Sequence, residues 1–449
     1  MIIPDVFKYR RFYHFTHIDN IDSIVEHGLL STNEKLRRGI EHIDLANWSI
    51  QQRRSVMKMP CAPYDTIHDY VPFYFASTNP MLLSVLNKKN IDQQLVVFIV
   101  VSIEKILDDN VIFTDASANT KAPPRFFSDP RDLDKLKWDL IDLTTWGSRS
   151  DDERHSRMAE VLVHKTVPLD WIEAYIVFDR ISKDKIKDVY TRRGLKAPVI
   201  SYSPYRRRHF FFLKFFEKGR KKESLITGPR VLNNHFSNAI KTITRNRRNM
   251  DSSFEPAFED VHDALIKIKQ NFCVIPELEG IFGLQTDNEV HRESVSDHTI
   301  QVVSNLKQFK YYTALSKPDR RVVKLSAYLH DIGKGPKSKW DNGIQKCYPD
   351  HPADAVPMLV RVLTDEFVSI SEDDIRKICL LVFYHDIVGD IIENGRSMSE
   401  LIKLNIDENE LDMLIALSLA DTSAISRAWV QRIELKLDDF VDEAMKEIM

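Results

Sequence analysis

The segment "LSAYLHDIGKG" (residues 325–335) places His330 beside Asp331 at the end of an apolar helical run that closes on glycines. Further imidazoles and carboxylates follow the same helical pattern: His291, His298, His351, His385 and Asp421. Neutral imidazole together with carboxylate suits a divalent Mn, Fe, Zn or Mg ion. Adjacent side chains on a helix point about 100° apart, so His330 and Asp331 can share an ion only where the helix ends or distorts, and Gly333 and Gly335 supply that end. Such an ion lowers the pKa of bound water and polarises a phosphoryl oxygen. The ordinary alternative for any one of these histidines is a satisfied core or surface residue.

A second set of candidates lies upstream. In "YHFTHIDNIDSIVEHGLLS", the His14-Phe15-Thr16 triplet precedes a helix and can present a polar pair to a ribose or an amide. Asp19 and Asn20 read equally well as caps of that helix. Glu160, in "RMAEVLVHK", stands among apolar residues at the mouth of a β-type run. Its choices are a partly solvated carboxylate at a strand start or a buried functional one. Arg157 three residues earlier, and the strand directly after, favour the second.

The elements that must position these groups divide the chain. Residues 1–205 mix short signals: a helix over "NIDSIVEHGLL" stopping at Gly28, and strands at "VPFYFAS", "LVVFIVVSI", "VIFTD" and "WIEAYIVFD". This is an α+β domain. Residues 206–252 form a connector in which 206–248 carry thirteen basic residues against two acidic ones, with aromatics interleaved in "YRRRHFFFLKFF". That stretch either neutralises phosphates while its rings stack on bases, or simply connects domains with its phenylalanines packed on a neighbour. Residues 253–449 read as helices throughout, the mark of an all-α bundle.

With 449 residues and 43% hydrophobic content, the chain can build two or three cores. A net charge of −3 excludes a chain that binds nucleic acid through overall charge, so any such contact needs a local patch. The four cysteines form no C-x-x-C pair, which argues against a disulfide framework or a zinc knuckle and points to a reducing cytoplasm. The start has no signal-type apolar core, and "QQLVVFIVVSI" is about half a membrane span, so a soluble cytoplasmic protein with no membrane partner is expected.

Two ordered motif sets carry family resemblances. "VHRESVSDHTIQVV", "LHDIGKG", "DHPADAV", "FYHDIV" and "LADTSA" resemble the HD superfamily of metal-dependent phosphohydrolases, most of all the HD domains of PII-uridylyltransferases and CCA-adding enzymes, over about 272–430. The resemblance implies a metal on His298, His330, Asp331 and Asp421. It also implies a phosphate contact by Lys334, and His291, His351 and His385 lining the site as substrate contacts or further ligands. "YHFTHIDN", "IQQRR", "HDYVPFYF", "PML" and "RMAEVLVHK" resemble the DarT family of DNA ADP-ribosyltransferases, the toxins of DarTG systems, over about 11–205. That resemblance implies NAD as donor and a base of single-stranded DNA as acceptor. It implies that His14, Thr16 and Asn20 hold the nicotinamide end, that Arg54 assists transfer, and that Glu160 is the catalytic glutamate. A carboxylate suits the oxocarbenium character that develops when the nicotinamide–ribose bond breaks, and it can accept the proton of the attacking base. An arginine can hold a phosphate or base by paired hydrogen bonds. The loop from Thr114 to Glu160 should select the target, and it departs from some members in having Ala116 and Ser117 where they have a histidine.

The leading expectation is therefore a bifunctional enzyme of toxin or phage-defence type: a DNA ADP-ribosyltransferase with a fused HD domain of regulatory or antidote role. A nucleotide at the HD site and a macrodomain antitoxin are further partners this reading admits. The alternatives are an HD nucleotidase or phosphodiesterase whose N-terminal domain senses nucleotide or DNA, and an HD bundle serving only as a binding module.

Overall fold

The computed structural model describes residues 2–45, 54–118, 123–202, 209–216, 223–224, 226–249, 255–287, 293–346 and 350–448. It separates into two compact units, Met1–Asn87 with Ile91–Leu213, and Lys88–Asn90 with Lys214–Met449. Phe210, Phe211 and Phe212 are buried in the first unit, with Phe210 and Phe211 set edge-on against Phe98. Their rings are thus spent on packing and are not open to stack on bases. The helix Pro229–Arg248 belongs to the second unit, so the basic stretch 206–252 is shared between the two.

The first unit is built on an eight-stranded mixed sheet. In chain order the strands are β1 (Arg11–His17), β2 (Tyr70–Tyr74), β3 (Val96–Ser102), β4 (Val111–Thr114), β5 (Phe126–Phe127), β6 (Glu160–His164), β7 (Ile172–Val177) and β8 (Val199–Ser201), and across the sheet they run β8-β7-β3-β1-β2-β6-β4-β5. All four sequence stretches read as strands are strands. The β3 run VVFIVVS is β-branched and buried on both faces, as befits a central strand. It pairs with β1 along its whole length, from Arg11 opposite Ser102 to His17 opposite Val96. β2 pairs antiparallel with β6, setting Tyr74 opposite Glu160.

Helix α1 (Ile21–His27) follows β1 and stops at Gly28, whose φ is +78°. A Cβ there would sit 2.7 Å from the Val167 carbonyl oxygen, so both the backbone angle and the close approach require glycine. Helix α2 (Thr32–Arg38) starts at Ser31, whose hydroxyl accepts from the Glu34 amide.

The second unit is helical: α3 (Pro229–Arg248), α4 (Val261–Gln270), α5 (Val295–Asn305), α6 (Lys310–Ala314), α7 (Lys317–Leu329), α8 (His351–Asp365), α9 (Glu372–Tyr384) and α10 (Glu408–Ile425) carry the site and its frame. Serines 294, 316 and 371 cap α5, α7 and α9 by accepting from the amides of Asp297, Asp319 and Asp374. The second half of α9, Ile378 to Tyr384, is no more than 1% exposed, which makes α9 the central helix. Two small strand pairs accompany the helices, Gln285–Asp287 parallel with Ile344–Lys346 and Lys214–Phe216 antiparallel with Glu223–Ser224. Among the described residues no helix is long and apolar enough to cross a membrane.

Candidate functional site

In the first unit, β1 and β2 bring His14 and Thr16 to the wall of a cavity that α1, α2 and residues 40–45 enclose. The His14 Nδ1–H donates to the Pro72 carbonyl at 2.8 Å, which leaves Nε2 as the acceptor. Burial lowers the His14 pKa to about 4, so the ring is neutral near pH 7. Asn20 lines the same cavity, but both of its amide hydrogens are used inside the protein. Its Nδ2 donates to Thr16 Oγ1 at 2.9 Å and to the Ile43 carbonyl at 2.9 Å, while Oδ1 accepts from the Ile43 amide at 2.8 Å. Asn20 thus pins residue 43 to β1 and orients Thr16. It does not cap α1 through its side chain, and Asp19 instead forms an ion pair with Lys185 while its amide donates to His17 Nδ1.

Glu160 opens β6 and is fully buried. Its partner is Arg54. Nη1 lies 3.0 Å from Oε1 and Nη2 3.1 Å from Oε2, the two-pronged geometry that suits guanidinium and carboxylate. Burial works against the charge on Arg54, and the Glu160 carboxylate outweighs it, so the guanidinium is held firmly protonated. Burial also pushes the nearby Tyr74 phenol up, keeping it neutral. Arg54 lines the cavity, and Glu160 lies behind it.

Three features differ from the reading of the sequence. Arg157, expected beside Glu160, turns away and donates to the carbonyls of Gly147, Thr78 and Thr145. It ends a helix while Glu160 begins a strand, so nearness in the chain does not bring the side chains together. Ser117, noted only as a departure from relatives, is buried and donates to Glu160 Oε1 at 3.2 Å. Lys35 was missed altogether. It faces the cavity from α2, and burial lowers its pKa to about 8.

In the second unit, His330 is the last residue before the chain leaves α7, and His385 holds the same place after α9. Each donates its Nδ1–H to the carbonyl three residues back, Ala327 at 2.8 Å and Val382 at 2.9 Å, and each is followed by an aspartate. Both rings therefore turn Nε2 the same way. Among the described residues three groups of donors have their ligand atoms within 4.8 Å of one another: His298, His330 and Asp421; Asp331, His351 and His385; and His385, Asp386 and Asp421. Asp331 links the first two, with Oδ2 3.4 Å from His330 Nε2 and Oδ1 3.3 Å from His351 Nε2. The expected set of His298, His330, Asp331 and Asp421 is brought together, and His351 and His385 join it. Asp386 belongs with them and was overlooked, although "FYHDIV" repeats the His-Asp pair of "LHDIGKG". Lys334 is engaged by Asp331 at 2.6 Å. His291 lies outside the described residues.

The expected glycine-made helix end differs in kind. Neither Gly333 nor Gly335 has a positive φ; the helix passes into a 3-10 turn, Ile332–Lys334. A Cβ on Gly333 would lie 2.0 Å from the His351 carbonyl oxygen, so the residue is small to let the start of α8 approach.

These residues fit a divalent ion. His330 Nε2 and Asp331 Oδ1 are buried without a hydrogen-bond partner in the described structure. Donors each about 2.1 Å from one ion lie roughly 3.0–3.4 Å apart, the range found between Asp331 and its histidines. Burial opposes the charge on Asp331, Asp386 and Asp421, yet adjacent imidazoles, joined by Lys334 at Asp331, hold all three well below the usual carboxylate range. Burial lowers His351 to about 3, whereas Asp386 overcomes burial and raises His385 to about 9. The cluster draws in positive charge, as a proton on His385 or as a cation.

The family described as "ssDNA thymidine ADP-ribosyltransferase, DarT" matches residues 13–212, and "HD domain" matches residues 295–404. A DNA ADP-ribosyl transferase of Thermus sp. (strain 2.9) is 31% identical over 181 residues, covering 39% of this chain and 85% of the relative. The chain belongs to the DarT family. It carries an HD domain after the DarT domain. A DNA ADP-ribosyl transferase–DNA ADP-ribosyl glycohydrolase fusion protein of Thermosipho africanus is 26% identical over 275 residues, 61% of this chain and 67% of the relative. A bifunctional uridylyltransferase/uridylyl-removing enzyme of Cereibacter sphaeroides is 25% identical over 167 residues, 34% of this chain but only 17% of the relative.

Proposed function

We propose that the DarT domain transfers ADP-ribose from NAD to a base of single-stranded DNA. The observation that carries this reading is the fully buried Glu160, paired with Arg54 at the back of the cavity that His14 and Thr16 line. His14 Nε2 accepts from the nicotinamide amide, Thr16 contacts the same end, and Asn20 positions Thr16 and the strand of chain at Ile43. Lys35 is the cation for the donor's phosphates. As the nicotinamide–ribose bond breaks, Glu160 stabilises the developing positive charge through space. Taking the proton of the attacking base nitrogen requires one Glu160 oxygen to be released by Arg54, which is then free to hold a phosphate or the base. The family's description names thymidine, so thymine is the first base to test. The test is to incubate protein, NAD and single-stranded oligonucleotides of each base, and to look for the mass of one ADP-ribose and for free nicotinamide. Absence of both, with Glu160→Ala no less toxic to cells than the unchanged chain, removes this reading.

His298, His330, Asp331, Asp421, His351 and His385, with Asp386, would hold divalent metal, and Lys334 would meet a phosphate. Such an ion supplies an activated water and a polarised phosphoryl oxygen. We assign the HD domain a regulatory or antidote role in a cytoplasmic toxin or phage-defence protein. The Thermosipho relative, whose name joins writer and eraser in one chain, supports the idea of a fused control domain. If the HD domain is an antidote, His330→Ala makes the full chain more toxic; unchanged toxicity removes that role. A macrodomain antitoxin acting in trans is the other source of control.

A second reading makes the HD domain the main enzyme, a nucleotidase or phosphodiesterase, with the DarT domain as nucleotide or DNA sensor. The complete donor set favours it. Phosphatase screening of the chain with and without His330→Ala and Asp331→Ala separates the two.

A further inference from the structure

On the second unit, away from the metal-ligating cluster, α4, α6 and α7 border a groove of about 960 Å³. Six cations line it: Lys269, Lys307, Lys317, Arg320, Arg321 and Lys324. No aspartate or glutamate does. In a chain with slightly more acidic than basic residues, that segregation stands out. Other cations of this unit do find carboxylates. Lys377, Arg376 and Arg361 of the same unit are paired at 3.0 Å or less. None of the six has a carboxylate within ion-pair distance among the described residues. The one acid on this stretch of α7, Asp319, is turned to Lys377 at 2.9 Å.

The arrangement follows from helix geometry. Residues 317, 320, 321 and 324 share one face of α7, while Val322, Val323 and Leu325 fill the core from the other. The face spans about 10 Å, at ~1.5 Å per residue. Lys269 from α4 and Lys307 from the 3-10 turn Leu306–Gln308 add charge from neighbouring elements. Burial, then Lys307 and Lys269, lower the Lys324 pKa, as expected of cations crowded without a counter-ion.

Like charges repel, so six held together without neutralisation imply an anionic occupant. A nucleoside triphosphate concentrates its charge in one short triphosphate chain, whereas the cations here are spread over α4, the 3-10 turn and the length of the α7 face. A polynucleotide strand repeats its phosphates along its whole length and so matches cations distributed in this way. The exposed side chain of Ile266 offers apolar contact for sugars or bases. We propose that this groove of the HD-bearing unit binds the phosphodiester backbone of a single-stranded polynucleotide without regard to sequence.

The experiment uses the full chain, without NAD, and a fluorescein-labelled 30-nucleotide single strand. Anisotropy is titrated at several salt concentrations for the unchanged protein and for Lys317→Gln/Arg321→Gln/Lys324→Gln. Each lost phosphate contact removes about 0.7 from the slope of log K against log salt. The triple variant should therefore lose about 2 from the slope and at least tenfold in affinity at low salt, with its melting temperature kept. A Lys317→Arg/Lys324→Arg variant should bind like the unchanged chain, which separates charge from folding. Photo-crosslinking with bromodeoxyuridine should label peptides within residues 261–324. The proposal is overturned by an unchanged slope with crosslinks confined to residues 1–213. It is equally overturned if inorganic tripolyphosphate, an acidic peptide or anionic vesicles bind with the variant's sensitivity while the oligonucleotide does not. ADP-ribose transfer is not read, so this outcome and that of the transfer assay are independent.

Discussion

Arg54 and Glu160 stand 106 residues apart and meet through two parallel hydrogen bonds of 3.0 and 3.1 Å, with the carboxylate wholly buried and the guanidinium at the cavity wall. The pair is unequal in its access to water. If Glu160 is neutralised, Arg54 can turn its charge toward the cavity. If Arg54 is removed, Glu160 keeps, among the described residues, the Ser117 hydroxyl as its side-chain donor.

Arg54→Ala should therefore destabilise the DarT domain more than Glu160→Gln. Breaking a buried pair costs about 3–5 kcal/mol when the remaining charge cannot escape. For a domain of this size that is a melting-temperature fall of roughly 6–20 °C. Glu160→Gln should stay within a few degrees of the unchanged chain while abolishing ADP-ribose transfer. Equal melting temperatures for the two variants would contradict the asymmetry. Differential scanning calorimetry of the full chain reads both.

Ser117→Ala removes a hydroxyl donor to an ionised group, an interaction worth about 1.5–3 kcal/mol. If the bond is kept as charge develops at the ribose, kcat for transfer should fall by roughly tenfold to a hundredfold with little change in KM for NAD. Ser117→Thr, which keeps the hydroxyl, should recover part of the rate. A change confined to KM would place Ser117 outside the support of Glu160.

Lys35 gives the donor site a pH dependence. Burial lowers its pKa to about 8, so it is mostly charged at pH 7 and mostly neutral at pH 9. A dinucleotide is anionic and prefers the charged form. KM for NAD should rise by about tenfold between pH 7 and 9, in the direction set by loss of the proton. Lys35→Arg stays charged and should flatten the profile. His14 is already neutral above about pH 4 and adds nothing in this window.

Much of this was legible in the residues. Strands β2, β3, β4, β6 and β7 follow from β-branched and aromatic runs, and the donor histidines from ordered motifs on helices. What escaped has physical reasons. Arg157 was favoured beside Glu160 because it is near in the chain, but a helix end and a strand start send the two side chains apart, while the true partner, Arg54, comes from 106 residues earlier. Ser117 is one small residue in a loop, with no periodicity to mark it. Asp386 was readable, since it repeats the His-Asp pair of residues 330–331, but its meaning depends on α7 and α9 ending at the same place. The basic groove draws its cations from separate helices and a turn, none unusual alone.

Asp386 should count among the metal donors. Asp386→Asn keeps the size and one acceptor oxygen but removes the negative charge that raises His385 to about 9. Manganese content, measured by mass spectrometry after loading and desalting, should fall relative to the unchanged chain, and the stabilisation of the HD unit by added Mn²⁺ should shrink. Unaltered content and stabilisation would leave Asp386 as a charge partner of His385 and Lys89.

Gly333 offers the sharpest steric test in the HD unit. A Cβ there would meet the His351 carbonyl oxygen at 2.0 Å and the Ala355 amide nitrogen at 2.6 Å, both backbone atoms that no rotamer change can clear. Gly333→Ala must therefore push the first turn of α8 away from α7. His351 opens that turn, and its Nε2 stands 3.0 Å from His385 and 3.3 Å from Asp331, so the displacement separates the donors as well as straining the core. Overpacking of this kind costs about 1–3 kcal/mol or more, a fall of roughly 2–12 °C in the melting temperature of the helical unit. Ala355→Gly does not relieve it, because the clash is with main chain. A Gly333→Ala protein that melts like the unchanged chain and retains its manganese would show that α8 can yield without cost and that the glycine is not needed for the close approach.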